Sequence, residues 1–369
     1  MSKKIDQTLE IKPGVRLGAN VYTKSGDLLL EKGTILTEKN IQRIRTAGVM
    51  NRQKKAEPPP EETLPEEPPP QQTPPKEAPP ATPITENKAN FQAFAQSYEE
   101  KKEESVKLIQ DISNGGIVDV DAIVSQTDSI MSELTDKKDL LTFLSFMEGT
   151  DDVTYGHSIN VSLLCNLFGQ WLALEPHELK ILTVAGMLHD VGKTRIPPEI
   201  INKPGRLTDE EFAIMKTHPQ LGYDILSAQN MDKEIQHAAL MHHEKIDGSG
   251  YPARMASDKI SSMTSIVTIC DIYDAMTANR SYRKKVCPFE ILDFFENKFF
   301  GELHTEYLLL FINKIAHSYK NYFVRLSNGD TGEVVHIHPQ SIARPIILTS
   351  QGVVVDLASD KSLSITEVY

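Results

Sequence analysis

Cysteine is scarce in this sequence. Cys165, Cys270 and Cys287 are the only three, each in an apolar or helical context. No disulfide framework is available, and a reducing cytoplasm is the expected compartment. Cys270 adjoins Asp271, but packing as a small buried hydrophobe is the ordinary use of such a residue. Long apolar runs are missing as well. Nothing approaches the roughly 20 residues that a membrane-spanning helix needs. The opening Met-Ser-Lys-Lys-Ile-Asp-Gln has no apolar core of the kind a secretory signal carries, so a soluble protein is expected unless a partner tethers it. Basic charge is in deficit, with 39 Lys and Arg against 51 Asp and Glu and a net charge of −12. That balance argues against broad DNA or RNA binding and against docking on an anionic membrane. Hydrophobic residues are well supplied, at 40% of 369, enough for a sizeable core and two or three domains.

Proline is abundant in one place only. Residues 57–83 hold 12 of the 22 prolines, mixed with glutamate. Such a tract buries too little apolar surface to fold and favours extended polyproline II, a semi-rigid spacer. A linker over 57–87 therefore separates residues 1–56 from the rest. In that first module Val21 to Thr23 and Leu28 to Leu30 flank the turn Ser25-Gly26-Asp27. Thr37 can cap a helix carrying Ile41 and Ile44 that stops at Gly48. The segment predicts a small β-rich module with one helix. It has no metal-ligand cluster, no Gly-rich phosphate loop and no hallmark of a phosphorylated receiver domain, which leaves a regulatory, docking or merely structural role.

Helical periodicity runs from Phe91 to about residue 320. Val106, Ile109 and Ile112 recur at helix spacing before Gly115-Gly116 breaks the run. Ile123, Ile130, Leu134, Leu140-Leu141 and Leu144 follow, then Val161, Leu164, Leu167-Phe168 and Leu172, then Ile181, Val184 and Leu188. The fold class is mainly α: a helical bundle over 88–320, with a β-hairpin extension over 321–369. In that extension Phe323 to Leu326 and Val334 to His338 flank Asn328-Gly329, and Pro345 to Thr349 and Val353 to Leu357 flank Gln351-Gly352. His336 and His338 alternate on one strand with no carboxylate or cysteine in step, and read as ordinary surface residues.

Within the helical region five histidines and two aspartates occur in order: His157, His189-Asp190, His218, His242-His243 and Asp271. Each sits on or at the end of a helical stretch, so a bundle would point them inward. Neutral imidazole and carboxylate together suit Fe, Mn, Zn or Ni. In an adjacent His-Asp pair the imidazole can serve one ion while the carboxylate bridges to a second. Paired ions clamp the attacking and leaving oxygens of a displacement at phosphorus.

The text around these residues resembles the HD-GYP family of bacterial cyclic-dinucleotide phosphodiesterases, a branch of the HD phosphohydrolases. It reads Tyr155-Gly156-His157-Ser158-Ile159-Asn160-Val161, Leu188-His189-Asp190-Val191-Gly192-Lys193, His218-Pro219 with Gly222, and His242-His243-Glu244. Asp247-Gly248-Ser249-Gly250-Tyr251-Pro252 follows, then Asp271-Ile272-Tyr273-Asp274-Ala275-Met276-Thr277 and Arg280-Ser281-Tyr282-Arg283. An HD pair alone is a weak signal; the blocks in this order are a specific one. The match spans about residues 150–290, with helical flanks to roughly 90–320.

The resemblance implies that His157, His189, Asp190 and Asp271 hold one divalent ion, and that Asp190, His218, His242 and His243 hold another. Asp190 would be the bridge, and a hydroxide formed between the ions would attack cyclic di-GMP to give linear pGpG, or GMP. Some relatives bind a third metal through a glutamate four residues before the first histidine. Val153 stands there, with Asp151 and Asp152 upstream, so two ions are expected, iron or manganese ahead of zinc or nickel. Lys193 would contact the phosphate under attack. Arg280 and Arg283 would grip non-reacting phosphate oxygens, the latter where lysine is frequent. Lys284 and Lys285 read as a solvated extension of that run. Gly248, Gly250 and Pro252 would shape a loop displaying Tyr251 toward a guanine or a phosphate. Glu244, Asp247 and Asp274 are candidates for carboxylates that orient the imidazoles. Hydrolysis of cyclic GMP-AMP, or nucleotide binding without turnover by a signalling adaptor, are the competing readings. A homodimer or a signalling-protein partner is left open.

Overall fold

The computed structural model describes residues 21–22, 28–30, 88–147, 153–255, 259–277 and 286–369. Strands β1 (Val21–Tyr22) and β2 (Leu28–Leu30) pair antiparallel, with Val21 opposite Leu30. The helix expected after Thr37, the proline tract, and Asp151 and Asp152 lie outside the described residues.

Helix α1 (Lys88–Ser113) is followed by α2 (Val120–Ser132), α3 (Asp139–Phe146), α4 (Val153–Trp171) and α5 (Pro176–Leu188). A short 3-10 turn (Val191–Arg195) leads through α6 (Pro198–Ile201) and α7 (Asp209–Met215) to α8 (His218–Ser227) and α9 (Lys233–Met241). The helical part closes with α10 (Ser262–Thr277), α11 (Pro288–Lys298) and α12 (Thr305–Ser318). Helices α4 and α5 form the centre. Ile159, Val161, Leu163, Leu164, Leu167 and Phe168 are all buried, as is every residue of α5 from Ile181 to Leu188. Helices apolar on every side belong in an interior, and these two pack on each other and on α10, α9 and α2. Pro176 at the first turn, with a reciprocal cap between Glu175 and Glu178, sets where α5 starts. Its far end is therefore placed at His189.

The C-terminal part is one sheet rather than separate hairpins. Strands β3 (Phe323–Leu326), β4 (Thr331–His338), β5 (Ser341–Thr349), β6 (Val354–Asp356) and β7 (Ile365–Val368) run antiparallel in the order β6-β5-β4-β3-β7. The two expected hairpins are present, but β4 also pairs with β5, and the final strand returns beside β3. Helices α11 and α12 cover β5, and Val324, Val334 and Ile347 are buried in the continuous core. His338 contacts Asp356 at 3.0 Å across this sheet, a carboxylate that sequence spacing does not place there. No described helix is long and apolar enough to cross a membrane.

Candidate metal centre

Five helices deliver the candidate ligands. His157 lies in the first turns of α4, His189 caps the end of α5 with Asp190 next, and His218 opens α8. His242 caps the end of α9 with His243 next, and Asp271 sits inside α10. The placement exploits helix ends, where the last carbonyls have no intrahelical partner. His189 Nδ1 bonds the Gly186 carbonyl at 2.8 Å, and His242 Nδ1 bonds the Ala238 carbonyl at 3.0 Å. His218 Nδ1 bonds the Met215 carbonyl at 2.8 Å in the turn before its helix. Each N–H so engaged turns the Nε2 lone pair of its ring inward.

The inward atoms fall into two groups. One ligand atom each from Asp190, His218, His242 and His243 lie within 4.8 Å of one another, as do those of His157, His189 and Asp271. Asp190 stands between them. Its Oδ1 is 3.3 Å from His218 Nε2 and 3.5 Å from His242 Nε2, while its Oδ2 is 3.4 Å from His189 Nε2 and 3.7 Å from His157 Nε2.

These residues fit a pair of cations. His189 Nε2 and Asp190 Oδ1 are buried without a hydrogen-bond partner, a costly state unless something else satisfies them. His218 Nε2 and His242 Nε2 face each other at 3.2 Å. With both Nδ1 atoms donating to carbonyls, that contact opposes two lone pairs, which a cation between them would relieve. In the cluster of His218 and His243 the protonation states agree. Burial keeps the His218 pKa low, against the opposing pull of Asp190, and holds that of His243 well down, helped by His242. Both are therefore neutral ligands at neutral pH. Burial works against ionising Asp190, but Lys193 and His189 hold it well below the usual carboxylate range. His157 likewise holds Asp271 low despite burial. Burial would depress His157, yet hydrogen bonds to Asp271 and Asp274 raise it to about 10.

The family model for the HD domain matches residues 123–297, the stretch that supplies every one of these candidate ligands. The chain is thus similar to the HD family over just under half of its length. Its relatives include a cyclic di-GMP phosphodiesterase of Pseudomonas aeruginosa, 31% identical over 65% of this chain and 58% of that protein. A cyclic di-GMP phosphodiesterase response regulator of Xanthomonas campestris is 37% identical over 37% of each chain. A 3'3'-cGAMP-specific phosphodiesterase of Vibrio cholerae is 37% identical over 40% of this chain and 29% of that one. The chain thus spans little more than half of the first relative and about a third of the other two.

Around this centre the remaining sequence candidates divide. Lys193 is half-buried in the 3-10 turn, and its ammonium bonds the Asp190 carboxylate. Tyr251 stacks on His243, ring centroids 4.6 Å apart, so one face of the phenol is already covered by a candidate ligand. Burial pushes its hydroxyl well above the ordinary phenol value, leaving a neutral donor. Gly248 adopts φ +76°, and a Cβ on Gly250 would stand 2.4 Å from the His243 carbonyl oxygen. The Gly-Tyr-Pro loop is thereby pressed onto the ligand backbone, and the Tyr251 N–H donates to that same carbonyl at 3.2 Å. Arg280, Arg283, Lys284 and Lys285 lie outside the described residues.

Among the three carboxylates expected to orient imidazoles, Asp274 contacts one, His157 Nδ1 at 2.7 Å. The other two require correction. Buried Glu244 accepts from the Ala253 and Met255 N–H groups at 2.6 and 3.0 Å, so it holds the loop beyond Pro252. Exposed Asp247 accepts from the Ser249 N–H at 2.9 Å and steadies the turn itself. Both follow the ligand pair in sequence, but the chain turns away, which presents backbone donors to them in place of rings. Sequence reading gave no role to Asn160, whose Nδ2 donates to Asp274 Oδ1 at 2.8 Å. Its one signal is the helical spacing: three residues after His157, it shares that residue's face.

Proposed function

We propose that this protein is a metal-dependent phosphodiesterase that hydrolyses cyclic di-GMP to linear pGpG or on to GMP. The observation that carries the reading is the position of Asp190, one oxygen toward each cluster of ligands, the arrangement a two-ion hydrolase needs. The described ligands are seven, five imidazoles and two carboxylates. That donor set favours two ions, iron or manganese ahead of zinc or nickel. When bound, the ions supply Lewis acidity at phosphorus and hydroxide at neutral pH. The chain's own groups orient the substrate. Lys193 stands at the bridging carboxylate, where its ammonium can neutralise charge growing on the attacked phosphate. Tyr251, stacked on His243, offers a neutral hydroxyl at the edge of the centre. Arg280 and Arg283 are assigned to non-reacting phosphate oxygens, because forked guanidinium donors suit them.

Support for the substrate class comes from the names of relatives, five of which are cyclic di-GMP phosphodiesterases. A second reading, cleavage of cyclic GMP-AMP, is favoured by the similarity to the Vibrio cholerae enzymes. A non-catalytic adaptor fits less well, since such a role does not require the full ligand set, Lys193 and Tyr251 together. We assign the protein to the cytoplasm, residues 1–56 to a regulatory or docking module, 57–87 to a linker, 88–320 to catalysis and 321–369 to a C-terminal extension.

The test is metal analysis of anaerobically purified protein, followed by chromatography of products from cyclic di-GMP and cyclic GMP-AMP supplied separately. Faster conversion of cyclic di-GMP by protein holding two metal equivalents is expected. Faster conversion of cyclic GMP-AMP selects the second reading. Metal-loaded protein that binds either nucleotide without cleaving it overturns the enzyme assignment.

A further inference from the structure

The hydrogen-bonded network behind His157 does not end at Asp274. Asn160 Nδ2 donates to Asp274 Oδ1 at 2.8 Å, and the Tyr98 hydroxyl lies 2.7 Å from Asn160 Oδ1 and 3.2 Å from the Gly156 carbonyl oxygen. Tyr98 belongs to α1, ahead of the matched HD domain at 123–297. It is 5% exposed, with its ring beside Phe94 at 6.0 Å. The same helix also contacts the 3-10 turn that carries Lys193. The Ser113 carbonyl at its C-terminal end accepts from Arg195, two residues past Lys193.

We propose that Tyr98 is a positioning residue for the metal ligand His157, acting through Asn160 and Asp274. The inference rests on reading His157 as a ligand and adds a residue from outside the HD domain to the centre.

The direction of each bond is forced by its neighbours. An ionised Asp274 only accepts hydrogen bonds, so the amide nitrogen of Asn160 must face it and the amide oxygen must face Tyr98. Both atoms near the Tyr98 hydroxyl are then acceptors, and the phenol must donate. Burial and the Asp274 charge hold that phenol well above its ordinary pKa, so the proton stays on oxygen. With Asn160 held in this orientation, Asp274 Oδ2 receives the His157 Nδ1 proton at 2.7 Å. His157 Nε2 is thereby left as the ligand atom, 3.0 Å from Asp271. Without the Tyr98 donor, Asn160 Oδ1 loses its partner and the amide is held only from the Asp274 side. An amide held from one side positions Asp274 less firmly, and the His157 ring with it. Partners that orient a ligand imidazole typically contribute tenfold or more to metal affinity. Tyr98 is two bonds further out, so a smaller effect follows.

Metal-stripped full-length protein titrated with Mn²⁺ in a calorimeter tests the assignment. Tyr98→Phe keeps the ring and removes the donor. It is expected to weaken one of two Mn²⁺ sites about threefold to tenfold, with the unfolding midpoint of the metal-free protein unchanged. Asn160→Ala should weaken the same site at least as much, and it serves if the tyrosine variant does not fold. Phe94→Leu perturbs the packing around the Tyr98 ring without touching the network, and should bind Mn²⁺ as the parent does. The proposal is overturned if Tyr98→Phe and Asn160→Ala both bind like the parent while Asp274→Asn binds more weakly. It is equally overturned if Phe94→Leu matches the loss in Tyr98→Phe, which would make the role one of packing. A parent protein that binds no Mn²⁺ would instead remove the metal-centre reading beneath it.

Discussion

Replacing Asp190 by Asn changes one oxygen to nitrogen at nearly constant volume, and its consequence differs from that of any other ligand substitution. Asp190 Oδ1 lies 3.3 and 3.5 Å from the Nε2 atoms of His218 and His242, and Oδ2 lies 3.4 and 3.7 Å from those of His189 and His157. Each cluster therefore loses its share of one negative charge. The amide NH₂ would also point a donor at one cluster, where a cation should sit. Asp271 contacts only one cluster, through His157 at 3.0 Å and His189 at 3.9 Å. The three proteins should then separate by stoichiometry: about two equivalents in the parent, about one in Asp271→Asn and close to none in Asp190→Asn. Gel filtration in Mn²⁺-containing buffer, a desalting step and elemental analysis give the counts. Turnover should follow, with Asp190→Asn below about one per cent of the parent rate, because two-ion hydrolysis depends on both ions. Circular dichroism of each metal-free protein separates metal loss from unfolding. Two retained equivalents in Asp190→Asn would refute the bridging argument. So would an Asp190→Asn protein that loses one equivalent while Asp271→Asn loses both.

Lys193→Ala should chiefly lower kcat, on the order of a hundredfold, the scale of removing one preorganised donor. Arg280→Ala should chiefly raise KM, since contacts to non-reacting oxygens act on ground and transition states alike; steady-state kinetics at matched metal content decides, and the opposite pattern reverses the assignment. His157 has its pKa raised to about 10 in the metal-free protein, so at pH 7–8 Nε2 must release a proton to become a ligand. Mn²⁺ affinity at one site should therefore rise nearly tenfold from pH 7 to pH 8. An ordinary imidazole, already mostly neutral there, would give only about a 30% change; calorimetry in buffers of different ionisation enthalpy counts the proton directly. Gly250→Ala would set a Cβ 2.4 Å from the His243 carbonyl oxygen and 2.5 Å from Glu244 Cα. It should cost about 1–3 kcal/mol of stability by overpacking, and a urea midpoint equal to the parent's would contradict the close approach.

Much of the helical architecture can be read locally. Apolar periodicity marks α1, α2, α4 and α5, the pair Gly115-Gly116 follows the end of α1, and Asn328-Gly329 lies between two strands that do pair. Motif order also names the seven clustered residues before any coordinates, because imidazole and carboxylate chemistry is carried by residue type. Roles that depend on direction are less legible. Glu244 follows two histidines as closely as a helper carboxylate would, yet its oxygens face the backbone of Ala253 and Met255. Asn160 is visible in the motif, but its bond to Asp274 spans 114 residues. The extra strand β7 is four residues long, too short for a period-two pattern to declare itself.

By itself the sequence determines that residues from about 90 to 320 are helical and which side chains are available to hold metal, since periodicity and residue chemistry act over a few residues. Only the tertiary structure decides that Asp190 stands between two clusters, that Tyr98 reaches Asn160 from a helix outside the HD domain, and that the C-terminal hairpins join into one sheet. Those outcomes depend on distances between segments far apart in the chain, and such distances are set when the buried faces of all the helices and strands are packed together.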